Sequence, residues 1–333
     1  MKTMVIEKFG APEVFGLTEI DSPKLKPGHV LVKIMASSVN PIDCKIRGGA
    51  VPAIAPPFPA VLHGDIAGII TEVADDIDQF SVGDEIYGCS GGVSLVSGAL
   101  CESMLVDADT IARKPSSLTM AEAAALPLVT ITAWDGLFNK ARTLAGRDVL
   151  IHGGLGGVGH IALQLAVHAG ANVYTTVGDD TAFAEAQAFG AKAAINYKTE
   201  SPSDYAARLT DNQGFDLIFD TVGGSNLEKS FAAAKGNGEI ITTTASVTLD
   251  LSPMLQKSLS LHVVFMLLPL IRGHGIDMYH HVLSETALLV DQGKLRPRID
   301  PNQFIFSKVG AAHAYLESGQ AQGKVVLIND LHE

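Results

Sequence analysis

Three glycines carry the clearest chemistry in the sequence. Gly154, Gly156 and Gly159 satisfy the spacing G-x-G-x-x-G. They follow a short apolar run at 148–152 and open a helical stripe of Val158, Ile161, Ala162, Leu165 and Ala166. That arrangement suits a dinucleotide pyrophosphate. The first glycine, Gly154, permits a tight turn, the second lets backbone approach the anion, and the third lets helix and strand pack closely. First-turn N–H groups, such as those of Gly157 and Val158, lack intrahelical partners, and the helix dipole favours negative charge beside them.

The tip of the next strand, at 172–177, reads the adenosine ribose. An acid there would bind both ribose hydroxyls and favour NADH. The tip is Val177, which is neutral and leaves room for a 2′-phosphate. Gly178 permits close backbone approach, and Tyr197 offers a hydroxyl. Asp179 and Asp180 oppose a phosphate by like charge, although both equally suit a solvated loop. These residues point toward NADPH. NADH is the alternative, with Asp179 as its ribose ligand.

The other reactive side chains are sparse. Cys44, Cys89 and Cys101 form no disulfide framework and are too few for a four-thiolate metal site. Cys44 has no basic neighbour except Lys45 and reads as an inert thiol. His280 and His281 are adjacent on a helix and face different ways. His152 at a strand tip reads as structure rather than as a base.

The elements that must position these residues follow two textures. Eight of the 15 prolines lie in the first 63 residues, among short alternating runs such as 29–35, 67–73 and 83–88. This is a turn-rich, mostly β segment. A short helix at 120–126 follows, with Thr119 as N-cap and Glu122 at the capping-box position. Strands are expected at 148–152, 172–177, 215–220, 238–243 and 260–266. Helices are expected at 157–168, 181–189, from Ser201-Pro202, and at 226–234. Alternating strands and helices imply an α/β doubly wound parallel sheet. Its domain is placed at 125–266, after a first segment at 1–124. The remainder, 267–333, holds helices at 276–292 and 308–318 and a closing strand at 323–329, and returns to the first domain.

Composition narrows the classes. Lys and Arg number 24 against 36 Asp and Glu, a net charge of −12, which argues against a nucleic-acid groove. The most apolar run, 263–271, is interrupted by Pro269 and falls short of the ~20 residues a bilayer span needs. No signal-peptide pattern opens the chain. The expected location is the cytoplasm.

The order of these motifs resembles the medium-chain dehydrogenase/reductase superfamily over essentially the whole chain. Val39-Asn40-Pro41-Ile42-Asp43, the Gly83-Asp84 and Tyr87-Gly88 pairs, Ala123 to Pro127, and His152 to Gly159 look most like its quinone oxidoreductase, ζ-crystallin-like branch. The resemblance implies a GroES-like catalytic domain split around a Rossmann domain. The zinc-ligand positions of the alcohol dehydrogenases then fall on Asn40, Gly64 and Leu128, with His63 one residue out of register. None is a ligand, which implies a zinc-free member.

The resemblance also supplies site residues. It puts Asn40 beside the nicotinamide ribose and substrate, and Thr132 against the nicotinamide. It sets Thr243 and Phe265 along the cofactor, and Lys324 near the phosphates. Tyr87 is a substrate-pocket candidate that suits the core better. Asp43 reads as the holder of the loop around Asn40. No acid–base residue is assigned. The implied activity is NADPH-dependent reduction of a quinone or similar activated carbonyl, a small molecule, without a metal. The alternatives are reduction of an activated C=C bond in an enone, and a non-catalytic NADPH-binding protein. The apolar run at 261–266 is expected to be the sheet edge through which a homodimer forms.

Overall fold

The computed structural model describes residues 1–332. The chain divides into two compact units, one of Met1–Ile131 with Leu267–Glu333 and one of Thr132–Met266. The first unit opens with β1 (Lys2–Ile6) and β2 (Phe15–Glu19), an antiparallel pair. Its main sheet uses β3 (His29–Val39), β4 (Asp65–Val73), β5 (Glu85–Cys89), β6 (Ser103–Asp107) and β7 (Ile111–Arg113), all antiparallel. The proline-bounded runs alternate because one sheet face is buried: Val30, Val32, Ile34, Ile66 and Ile86 are inaccessible to solvent. Helix α1 (Pro41–Arg47) follows β3, with proline at its first position where no N–H bond is lost. Helix α2 (Met120–Ala124) starts at Thr119 with both capping-box bonds formed.

Helix α3 (Pro127–Trp134) carries the chain from the first unit to the second, so the division falls at 131/132 rather than at 124/125. The physical reason is that α2 packs on β3 and β4 of the first unit.

The second unit runs β8 (Asp148–His152), α4 (Gly157–His168), β9 (Asn172–Val177), α5 (Phe183–Ala188), β10 (Ala193–Asn196) and α6 (Pro202–Leu209). It continues with β11 (Phe215–Asp220), α7 (Asn226–Ala233), β12 (Ala234–Thr242), α8 (Ser252–Lys257) and β13 (Ser260–Val263). All pairings are parallel, in the order β10-β9-β8-β11-β12-β13. The order reverses at β8, and ligands of such sheets bind at the strand carboxyl ends beside that reversal. The core beneath β11 and α7 includes Leu150, Tyr174, Phe215, Phe231 and Ile240. Each such large side chain contributes about 1.5–3 kcal/mol by leaving water.

The chain then returns to the first unit through α9 (Leu268–Arg272), α10 (Asp277–Asp291), β14 (Phe304–Ile305), α11 (Val309–Glu317) and β15 (Val325–Ile328). β15 pairs antiparallel with β3 and parallel with β14.

In the second unit two of these elements escape the sequence pattern. β10 is a four-residue strand with a single β-branched residue, Ile195, and α8 is a six-residue helix. Both are too short for periodicity to register. The last strand of the sheet stops at Val263, ahead of the expected 266. Among the described residues no helix is long and apolar enough to cross a membrane.

Candidate functional site

The glycine loop joins β8 to α4. The tight turn falls on Gly153, at φ 68°, rather than on Gly154. Gly154 matters for packing instead. A Cβ there would lie 1.9 Å from Thr175 Oγ1, so its bareness lets the loop press on β9. A Cβ on Gly159 would lie 2.0 Å from the Gly153 carbonyl oxygen, which ties the helix closely to the loop. The first intrahelical bond is His160 N–H to the Gly156 carbonyl, at 3.1 Å. The N–H groups of Gly157, Val158 and Gly159 precede it, at the positive end of a 12-residue helix.

A cavity of about 650 Å³ opens beside this loop, lined among others by His152, Thr176, Tyr197, Lys198, Asn226 and Lys229. It spans the carboxyl ends of β8, β9, β10 and β11, within the size range of ligand pockets. His152 is held near Thr176, with Nδ1 3.3 Å from Oγ1, and burial pushes its pKa down to about 4. It is a neutral imidazole, as its strand-tip position suggests. Asp220 organises the opposite wall. Its Oδ1 accepts from the N–H groups of Val222 and Gly223 at 3.0 and 2.8 Å, and its Oδ2 from Ser230 at 2.9 Å. Sequence reasoning used Asp220 only as the end of a strand; Asn226 and Ser230, six and ten residues on, were the available signal of a loop-binding carboxylate.

The two acids after β9 are bonded to neighbouring polar groups. Asp179 accepts from Thr181 N–H at 3.0 Å and from its hydroxyl, capping the turn that leads into α5. Those bonds, chiefly the hydroxyl, hold its carboxyl below the usual range, with Lys198 a lesser contributor. Asp180 Oδ1 accepts from Asn196 Nδ2 at 2.8 Å. Asp179 thus serves as the cap of that turn, as a loop acid can. Tyr197 is 49% exposed, with the Lys229 ammonium 5.9 Å from its ring centroid. Thr243 donates its N–H to the Asp220 carbonyl at 3.3 Å, and Phe265 is 46% exposed beyond β13. Thr132 is buried on α3.

In the first unit, Asn40 and Lys324 meet each other. Lys324 Nζ donates to Asn40 Oδ1 at 2.5 Å and to the Val39 carbonyl at 3.3 Å, and it pairs with Asp65 Oδ2 at 3.3 Å. Asn40 Nδ2 donates to the same Asp65 oxygen at 2.7 Å. Ser38 Oγ adds a third donor at 2.7 Å, and the Leu128 N–H on α3 donates to Asp65 Oδ1 at 2.8 Å. The side chains of Ser38, Asn40, Asp65 and Lys324 are all buried. Lys324 is thus the internal counter-ion of Asp65, and the Asn40 amide is bonded at both ends. Asp65 is the residue that sequence reading missed, because its importance comes from four segments that meet only in the fold. Asp43 accepts the Asn40 N–H at 2.7 Å, holding the loop as expected, and burial raises its pKa to about 7. Tyr87 is fully buried, the core role that suited it better, and donates to the Leu283 carbonyl at 2.6 Å, a strut between β5 and α10.

The donor set does not fit a catalytic zinc. A Cβ on Gly64 would lie 2.9 Å from the Gly91 carbonyl oxygen and 3.2 Å from Cys89 Sγ, so an imidazole has no room there. His63 is turned elsewhere, at φ 72°, with Nε2 2.8 Å from His313 Nε2 and Nδ1 3.3 Å from Ser37 Oγ. Burial holds both imidazoles below the ordinary histidine pKa, His313 at about 3. At Leu128 the backbone N–H, not a thiolate, faces Asp65. The three cysteines are buried, with Cys44 and Cys101 pushed up to about 12, chiefly by burial. Among the described residues no three His, Cys, Asp or Glu side chains are grouped to hold a metal ion.

A doubly wound sheet with this glycine loop, inserted into an antiparallel unit, is the architecture of an oxidoreductase. Two family profiles match the chain: an alcohol dehydrogenase GroES-like domain over residues 26–116, and a zinc-binding dehydrogenase over residues 189–327. The chain is similar to the 2-methylene-furan-3-one reductase of Solanum lycopersicum, with 34% identity over 98% of this chain and 79% of that protein. Among solved structures it is similar to an alcohol dehydrogenase superfamily protein from Novosphingobium aromaticivorans. The TM-score there is 0.93 and the identity 38%, covering 98% of this chain and 99% of that one. It is also similar to the Escherichia coli quinone oxidoreductase complexed with NADPH. That match has a TM-score of 0.87 and 25% identity, covering 98% of this chain and 100% of that one. The chain belongs to the medium-chain dehydrogenase/reductase superfamily.

Proposed function

We propose that this oxidoreductase reduces a conjugated carbonyl acceptor, a quinone first and an enone second, with NADPH and without a metal ion. The observation that carries the metal-free reading is Gly64, where the backbone of Gly91 excludes the imidazole that a zinc dehydrogenase requires. A conjugated acceptor suits such a site, since its extended π system stabilises the incoming charge that a Lewis acid would otherwise stabilise.

NADPH, when bound, supplies the hydride. The chain's own residues hold and orient it. The N–H groups of Gly157, Val158 and Gly159 suit the pyrophosphate, and the cavity bounded by Tyr197 and Asn226 suits the adenosine. Gly178 and Tyr197 favour the 2′-phosphate, and Thr132, Thr243 and Phe265 remain the candidates for the nicotinamide end. No side chain is assigned as acid or base: His152 is neutral, and Asp43 and Lys324 are buried among their own partners. Solvent completes protonation of the product. The enone reading is favoured by the tomato reductase, and the quinone reading by the Escherichia coli enzyme. β13 is an unpaired sheet edge with Val263 exposed, which supports dimerisation through that edge.

The test follows absorbance at 340 nm with NADPH or NADH and a panel of quinones, enones and ketones, with and without a zinc chelator. NADPH consumption with quinone or enone that is indifferent to chelation is expected. Activity confined to simple ketones, lost on chelation and restored by zinc, would overturn the reading. NADPH binding without turnover of any acceptor would leave a binding protein instead.

A further inference from the structure

The geometry points to Lys198, set in place by Asn196, as the residue that selects NADPH over NADH. This deepens the cofactor reading above and rests on it. A Cβ placed on Gly178 would lie 3.7 Å from Tyr197 Oη and 4.0 Å from Lys198 Nζ. A phenol and an ammonium therefore converge over the backbone at the tip of β9, where the 2′ side of an adenosine ribose is read. The Lys229 ammonium lies 5.9 Å from the Tyr197 ring centroid.

The carboxylates around this spot keep their charge but are bonded to other donors. Asp179 is occupied by Thr181, Asp180 by Asn196 and Asp220 by its own loop. Glu200, which also lines the cavity, is paired with Arg208 at 2.7 Å. Neither Lys198 nor Lys229 has a carboxylate within ion-pair distance among the described residues. A 2′-phosphate over Gly178 would accept charge-assisted hydrogen bonds from Lys198 and Tyr197 that a free 2′-hydroxyl forms far more weakly.

Asn196 is the positioning residue. Its Nδ2 donates to Asp180 Oδ1 and its Oδ1 accepts the Lys198 N–H at 3.1 Å. One side chain thus pins the loop after β9 to the loop after β10, which brings Gly178 and Lys198 together.

Calorimetric titration of the intact protein with 2′,5′-ADP and 5′-ADP tests this without any turnover, and NADPH and NADH repeat it with whole cofactors. Lys198→Ala is expected to weaken 2′,5′-ADP and NADPH by about 10- to 100-fold, the scale of a charged hydrogen bond. The loss for 5′-ADP and NADH should be several-fold smaller. Lys198→Arg should retain the preference, and Asn196→Ala should reduce it in the same direction by a lesser factor. If the unmodified protein binds 2′,5′-ADP no better than 5′-ADP, the NADPH reading itself fails. If the unmodified protein shows the preference and Lys198→Ala keeps it, only the assignment of Lys198 fails.

Discussion

Replacing Lys324 by Met probes the buried cluster around Asp65 most directly. The methionine keeps much of the length of the side chain and removes its charge. Asp65 would retain three donors, from Ser38, Asn40 and the Leu128 N–H, but lose its only cation at contact distance among the described residues. Asn40 Oδ1 would lose its 2.5 Å donor at the same time. Both members of the ion pair are almost inaccessible, with side-chain exposures of 3% and 0%. Breaking such a pair from one side costs about 3–5 kcal/mol, because the remaining charge is left in a poor solvent. For a unit of this size 1 kcal/mol moves the midpoint by roughly 2–4 °C, so the melting temperature should fall by roughly 6–20 °C. Adding Asp65→Asn to Lys324→Met removes the stranded charge and should recover part of the loss, a coupling of about 0.5–3 kcal/mol. Scanning calorimetry reads both effects. A single variant melting within about 2 °C of the parent, or a double variant no better than the sum of the singles, would refute the argument.

Asp43 sets a second expectation. Its folded pKa of about 7 lies above its ordinary 3.8, so the native state holds the proton more tightly than the unfolded chain. Its contribution is full below about pH 4 and is lost as pH rises through about 7. Asp43→Asn should flatten the urea midpoint across that window; an unchanged pH slope would contradict the burial argument. Gly154→Ala places a methyl against Thr175, at an overpacking cost of about 1–3 kcal/mol. It should impair NADPH binding, with fluorescence titration as the check, while Gly154→Ala combined with Thr175→Ser should restore little because the Cβ approach to Oγ1 remains. Val263→Lys places a charge on the β13 edge and should shift light scattering toward monomer; scattering identical to the parent would rule out pairing through that edge.

The sequence carried a large part of the fold in plain view. The helix start at Thr119 and Glu122 was readable because a capping box is a local bond between residues three apart. So was the start of α6 at Ser201-Pro202, where Ser201 Oγ accepts the Asp204 N–H at 3.3 Å. The glycine spacing was readable for the same reason, since turn, anion-facing N–H groups and helix entry lie within one short segment. β10 was not readable: a four-residue strand is stabilised by its neighbour β9, not by its own pattern. Nor was the turn at Gly153, because G-x-G-x-x-G does not say which glycine takes the positive φ.

The site divides along the same line. By itself, the sequence determined that a glycine loop of the dinucleotide-binding type spans Gly154–Gly159 and that thiolates are missing where Asn40 and Leu128 stand. Those are statements about residue type at a position, and they survive any detail of packing. Only the tertiary structure decided where the polar atoms of Asn40, Lys324, Tyr87 and Asp179 are spent, and that Gly64 has no space for a side chain. Most of these depend on groups that come from distant segments, such as Lys324 with Asn40 and Tyr87 with Leu283. A buried polar group takes whichever partner the fold brings within about 3 Å, and no spacing along the chain encodes that meeting.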